Sequence, residues 1–240
     1  SNSIVLRIMS DLDAKVLSVS YPPNEQALVW RVAAAQASSA RVRISYLLGR
    51  IEKQYHYRAL ATNDERTLQL SQYVRLNNES NENFGKTAIR LENNRSLERE
   101  LAHAQTREVL VQSWPAVSLE KSFTASLKDF GWLNQIEHKM QVAMHYVVTN
   151  DAKSGLGEVT LPHGKVRIFQ DDGRSGNAFL GEDWGKRTVP GDDMRLFLGL
   201  SRDISVKRTV HRNTREKVEG NLFDQHVVLR YEFENFKNAP

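Results

Sequence analysis

The side chains in this 240-residue chain best suited to chemistry are seven histidines, twenty-nine acids and four tryptophans. Their spacing decides what they can do. Metal ligation needs imidazoles and carboxylates that converge on one point. The histidines stand at 56, 103, 138, 145, 163, 211 and 226, with no HExxH and no close pair. His138 and His145 are seven apart, but the segment around them changes from irregular or helical character to strand. Single solvated or hydrogen-bonded imidazoles are the expected outcome. The chain has no cysteine, which excludes disulfides, thiolate zinc sites and cysteine nucleophiles.

Other motifs give equally plain answers. Asp171-Asp172-Gly173-Arg174 lacks the alternating acids and distal glutamate of a calcium loop, and Arg174 would oppose a cation, so a β-turn is expected. Asp192-Asp193 after Pro190-Gly191 reads as a second turn with solvated acids. The cluster Asn77–Asn83 offers oxygen ligands but reads better as a polar loop between strands. GxSxG is absent, and Gly173-Arg174-Ser175-Gly176 is too short and follows a turn rather than a strand-to-helix elbow. Neither GxxxxGK[ST] nor GxGxxG occurs, and Gly155-Leu156-Gly157 leads into a strand. No metal, cofactor or catalytic residue is therefore assigned.

Twenty-nine acids make chance carboxylate pairs inevitable, so the sequence alone singles out none for glycoside hydrolysis. Exposed aromatic rings could instead stack on sugars. Of Trp30, Trp114, Trp132 and Trp184, the last is expected to be exposed, in a turn formed by Gly181–Gly185. The candidate binding residues sit in three expected loops. They are Asn77, Asn78, Asn81 and Asn83; then Asp171, Asp172, Arg174 and Asn177; and finally Glu182, Asp183 and Trp184.

The elements that must hold these loops read as strands. Ile4–Ile8, Ala27–Ala33 and Val42–Leu48 are apolar runs, and Tyr55, Tyr57 and Ala59 alternate with polar neighbours. Thr67–Leu76 shows a phase change near Gln72 that predicts a bulge. Lys86–Leu91 follows the asparagine loop. Over Gly157–Gly199, short runs are punctuated by Asp-Gly and Pro-Gly pairs, which is hairpin chemistry because glycine accepts positive φ. One break is expected at Asp171-Asp172-Gly173 and another at Gly181. Val142, Met144, Tyr146 and Val148 form a period-two row, and Ile204–Val210 and Val227–Phe233 are further strands, with Asn213–Asn221 as a hairpin tip.

The middle has a different pattern. Leu97, Leu101 and Ala104 at i, i+4 and i+7, with Ser96 as N-cap, predict a short amphipathic helix over Arg95–Val111. Leu127, Phe130 and Leu133 also have helical spacing, weakened by Gly131. The expected fold class is mainly β, built of antiparallel β-sandwich modules with a partly helical insertion. The expected divisions are 1–92, 93–140 and 141–240, with the first and last able to form one continuous domain.

Composition bounds the rest. Forty per cent hydrophobic and 26% charged residues are ordinary for a globular protein. Thirty-three basic residues against twenty-nine acids leave +4, and the basic residues are scattered with no basic stripe interleaved with aromatics, so nucleic acid is not an expected partner. No apolar run approaches the roughly 20 residues of a membrane span. The chain opens Ser1-Asn2-Ser3 and stops after a strand-like run, which reads as a fragment of a longer protein.

Several segments, in order, resemble a known family. Leu28-Val29-Trp30, Val42–Leu48, Tyr55-His56-Tyr57 and Val74-Arg75-Leu76-Asn77-Asn78 are similar to the first half of the C-terminal domain of mucoidy inhibitor A-like bacterial proteins. Leu161-Pro162-His163-Gly164-Lys165-Val166-Arg167-Ile168-Phe169, Phe179-Leu180-Gly181-Glu182-Asp183 and Asp203-Ile204-Ser205-Val206 are similar to its second half. The resemblance covers most of Leu28–Asn238, with Asn93–Met140 unmatched. That family is a domain of unknown function. The resemblance implies a β fold, a bacterial source and a role at the cell envelope, and supplies no catalytic residue. The expectation is a non-catalytic binding or assembly domain whose loops meet a protein or polysaccharide partner. A glycan hydrolase and a structural oligomerisation domain are the alternatives.

Overall fold

A computed structural model describes residues 4–10, 13–23, 27–92, 94–126, 137–157 and 159–237. The chain forms two compact units, Ser1–Ile51 and Glu52–Pro240. The first holds four strands: β1 (Val5–Ile8), β2 (Ala14–Ser20), β3 (Val29–Ala34) and β4 (Val42–Ser45). β1 pairs antiparallel with β4, and β2 with β3, giving two separate two-stranded ribbons. None of the described residues of this unit is buried. A two-stranded ribbon has no second layer against which to bury a face.

The second unit is built on β5 (Ile51–Ala61), β6 (Thr67–Asn78), β7 (Phe84–Arg90), β8 (Ser96–Leu101), β9 (Gln105–Ser118) and β10 (Glu120–Thr124). It continues with β11 (Glu137–Met140), β12 (Ala143–Thr149), β13 (Gly164–Asp171), β14 (Asn177–Gly185), β15 (Asp193–Leu200), β16 (Ile204–Glu219) and β17 (Leu222–Asn235). Its largest sheet has the order β14-β13-β5-β6-β9, and β13 runs parallel to β5. Parallel neighbours need a long crossover, supplied here by everything between residues 61 and 164. Smaller sheets have the orders β10-β12-β15, β11-β16-β17 and β7-β8.

Alternation explains the core. Tyr57, Ala59 and Ala61 of β5, Leu68, Leu70, Val74 and Leu76 of β6, and Val166 and Ile168 of β13 are all at most 2% exposed. They share one apolar cluster with Tyr146 and Val148 of β12 and Met194 and Leu196 of β15, so the five-stranded sheet and the β10-β12-β15 sheet meet across a common core. The bulge expected within Thr67–Leu76 falls instead on the partner strand, where the β6–β9 register shifts between Gln72 and Tyr73. The extra residue, Val111, lies on β9, and β6 itself keeps its even-numbered residues inward.

The structure corrects the expected helical insertion. The described residues contain no helix, and Arg95–Val111 folds as β8, a turn and the start of β9. Residues four apart share a face in a strand as well as in a helix, so Leu97 and Leu101 fit either reading. Ala104, which completed the helical spacing, sits in the turn with φ 57°. Ser96, the expected N-cap, is the first residue of β8. The spacing at Leu127, Phe130 and Leu133 lies outside the described residues. Gly181 does not break β14; with φ 154° it sits beside a register shift in the β13–β14 pair and the strand continues to Gly185. The expected tip at Asn213–Asn221 also narrows, since β16 runs on to Glu219.

Candidate functional site

The face of the five-stranded sheet opposite the core carries the most concentrated chemistry. Burying Val166 and Tyr57 turns Lys165, Arg167, His56 and Arg58 outward. Register then places Lys165 beside Trp184 on one side and His56 on the other, and Arg167 beside Glu182 and Arg58. On β6, inward Val74 and Leu76 leave Arg75 outward, opposite Glu108 of β9. A row of rings and charges thus crosses the sheet from β14 to β9.

This row borders a cleft of about 650 Å³. Among the described residues, Lys53, Arg75, Lys165, Arg167 and Arg187 line it, against a single carboxylate, Glu92. His56, His163 and Trp184 supply rings. His163 stacks on Trp184 with centroids 5.1 Å apart and planes 13° from parallel. Lys165 Nζ lies 5.5 Å from the centre of the Trp184 ring, which remains 56% exposed. His56 stacks on Tyr73 at 5.2 Å and 9°.

Two carboxylates at the margin tie the cations in place. Glu182 accepts from Lys165 Nζ at 2.7 Å and lies 3.8 Å from Arg167 Nε. The hydrogen bond from Lys165 and the nearby charges of Lys165 and Arg167 hold its carboxyl below the ordinary range. Glu108 meets Arg75 Nη2 at 3.2 Å and His56 Nε2 at 3.1 Å. Burial pushes Glu108 upward, but His56 and Arg75 outweigh it and the net direction is down. Both side chains are anions fixed in position.

Buried polar contacts hold the cleft from beneath. Tyr57 is 1% exposed; its hydroxyl donates to Pro162 O at 2.6 Å and accepts from Gln72 Nε2 at 3.0 Å. That anchors the turn into His163. Tyr55 Oη accepts from Glu92 N at 3.1 Å, fixing the backbone at the cleft's carboxylate. Leu161 and Thr188 exchange backbone hydrogen bonds of 2.8 and 2.9 Å, which positions the chain beside Arg187.

The loop residues expected to bind ligand also make structural hydrogen bonds. Asn78 is fully buried; its amide donates to Glu82 O at 2.8 Å and Leu101 O at 3.1 Å, and its oxygen accepts from Ser80 N at 3.1 Å and Ser80 Oγ at 2.6 Å. Asn77 accepts from Thr106 Oγ1 at 3.0 Å, Asn83 accepts from His103 N at 2.8 Å, and Asn81 N donates to His103 Nδ1 at 3.2 Å. These asparagines organise the β6–β7 connection. Asp171 accepts from Gly173 N at 2.8 Å, and Asp172 from Arg174 N at 2.7 Å and Gly176 N at 2.8 Å, as expected of a turn. Those backbone donors hold the Asp172 carboxyl below its ordinary value. Asn177 opens β14 opposite Asp171.

Glu182, Asp183 and Trp184 lie on β14 rather than in a turn. Asp183 accepts from Trp184 N and Phe197 N, both at 2.7 Å, so it joins β14 to β15. Trp184 and Glu182 are the two sequence candidates brought to the cleft. Lys53, His56, Tyr73, Arg75, His163, Lys165, Arg167 and Arg187 were not singled out. For His56, Tyr73, Arg75, Lys165 and Arg167 the signal is alternation, since they occupy outward positions of β5, β6 and β13; Lys53, His163 and Arg187 carry no such signal.

Among the described residues there is no group of three or more histidines and acids able to hold a metal ion, and no helix long and apolar enough to cross a membrane. Comparisons with protein-family models, curated proteins and solved structures find no match.

Proposed function

We propose that this chain is a non-catalytic binding module that recognises an acidic partner on the outward face of its five-stranded sheet. The observation that carries the reading is the cleft lining of five cations against one carboxylate. A cleft lined by one sign of charge raises the local concentration of the opposite sign and speeds encounter. The common core of the five-stranded sheet and the β10-β12-β15 sheet supports a β-sandwich as the rigid base for that face. The resemblance to mucoidy inhibitor A-like proteins favours a bacterial envelope setting.

The carboxylates near the cleft with displaced ionisation, Glu108 and Glu182, are both held below their ordinary range. A glycosidase general acid requires the opposite displacement, which weighs against the hydrolase reading. Titration with a panel of polyanions, and with polylysine as control, tests the proposal. Polyanions bind with an affinity that falls as salt rises, polylysine does not bind, and Lys165→Glu/Arg187→Glu abolishes binding. Failure of every polyanion to bind would remove the reading.

One observation favours assembly as a second reading. β17 is a 14-residue strand at a sheet margin, with Leu222 68% and Phe233 72% exposed. Such an edge is a template for pairing with another chain. Light scattering that reports a strict monomer over a wide concentration range counts against it.

A further inference from the structure

The charge of the cleft selects an anion, but its arrangement selects more than charge. The row from Trp184 through Lys165, His56 and Arg75 to Glu108 lies across the strands, on the face of the sheet. At Lys165, His56 and Arg75, on the three inner strands, the backbone is paired on both sides. A peptide recognised through its main chain binds instead along a sheet edge, where those groups are free. Recognition at these inner positions comes from side chains: rings and fixed charges.

The carboxylates narrow the choice again. Glu92 lines the cleft, and Glu108 and Glu182 sit at its margin as members of ion pairs. An ionised carboxylate only accepts hydrogen bonds. A phosphodiester backbone has no donors to give it and would be repelled. Paired Lys165–Glu182 and Arg75–Glu108 present a donor and an acceptor side by side, which matches hydroxyl groups that both donate and accept. Trp184, 56% exposed and braced by His163, adds a ring on which an apolar face can lie. Arg187, for which no ion pair or hydrogen bond occurs among the described residues, is left to meet an acidic group.

We infer that the acidic partner is a carboxylated saccharide, with a sugar face on Trp184, hydroxyls on the Lys165–Glu182 pair and a carboxylate on Arg187. This rests on the acidic-partner reading and specifies its ligand class. In it, Trp184 and Glu182 act on the same ligand as the cations.

The test is titration of the intact chain with polygalacturonate, dextran, poly-L-glutamate and single-stranded oligothymidylate, read by calorimetry and tryptophan fluorescence. Polygalacturonate binds and perturbs the emission of Trp184, while dextran, poly-L-glutamate and oligothymidylate bind at least about tenfold more weakly. A tenfold change corresponds to about 1.4 kcal/mol, within the range of one cation–ring or stacking contact. Trp184→Ala weakens polygalacturonate about tenfold, Trp184→Phe retains most of the affinity, and Arg212→Gln, which removes a charge from β16, leaves it unchanged. Equal binding of poly-L-glutamate or oligothymidylate overturns the saccharide inference and leaves the acidic-partner reading standing. Unchanged affinity in a folded Trp184→Ala also overturns it. Absence of binding by all polyanions removes both.

Discussion

Glu65 shows how one side chain can tie two sheets together. It sits in the turn between β5 and β6 with φ 54°, a conformation that costs a non-glycine residue some strain. Its carboxylate accepts from Lys121 Nζ at 2.7 Å and from Tyr146 Oη at 2.5 Å, linking the five-stranded sheet to β10 and β12. Burial pushes Glu65 upward, but the bonds from Lys121 and Tyr146 and the charge of Lys121 outweigh it, so its carboxyl lies below its ordinary 4.5. The unfolded chain therefore binds this proton more readily than the folded one. The stabilisation is complete above the unfolded value and is lost as pH falls through the depressed folded one. Urea unfolding of the wild type and Glu65→Gln checks this. The stability gap is widest near neutrality and closes on acidification below about pH 4. A gap that stays constant with pH would assign Glu65 a purely steric role.

At the scale of elements, the parallel β5–β13 pair is the joint on which the cleft depends. Gly164 lies opposite Tyr55, and a Cβ there would meet the Tyr55 carbonyl and, at 3.0 Å, the Tyr57 ring. Both neighbours are in the core and cannot move aside cheaply. Gly164→Ala is expected to destabilise the chain by about 1–3 kcal/mol, the usual range for overpacking. It also shifts His163 and Lys165, which flank it, so ligand affinity falls in step with stability. Chemical denaturation and binding measured on the same variant check both; a variant as stable as wild type would mean the two strands can separate without loss. This joint was only half visible in the sequence. The alternation of Tyr55, Tyr57 and Ala59 announced a strand, and Pro162-His163-Gly164-Lys165 announced a turn into another. Nothing local said that the two lie side by side, more than a hundred residues apart in the chain. The same limit produced the false helix: Leu97 and Leu101 are compatible with either period, and only the β7–β8 and β6–β9 pairings decide between them.

For the molecule as a whole, the strand content was legible because apolar alternation is a local property, whereas the cleft was not because it exists only after four strands, β14, β13, β5 and β6, are set in register. Trp184 and Glu182 were found as a turn motif and His56 and Arg75 not at all, though all four border the same space. The two units differ in how their strands are secured. In the second, Ala59, Leu70, Val74 and Ile168 are fully buried, and their sheet shares its core with another. In the first, the ribbons β1–β4 and β2–β3 leave Val5 58% and Leu17 61% exposed. Amide protection follows burial and the number of layers over a strand, since unlayered hydrogen bonds open at little free-energy cost. Hydrogen exchange of the dilute chain is therefore expected to exhaust residues 14–20, 29–34 and 42–45 well before the amides of 55–61, 68–76 and 164–170 begin to exchange. Comparable protection in both sets would mean that the apolar side chains of the first unit are covered in solution by a layer its own strands do not supply. Repeating the measurement at higher concentration would then identify that layer as a second copy of the chain if protection rises with it.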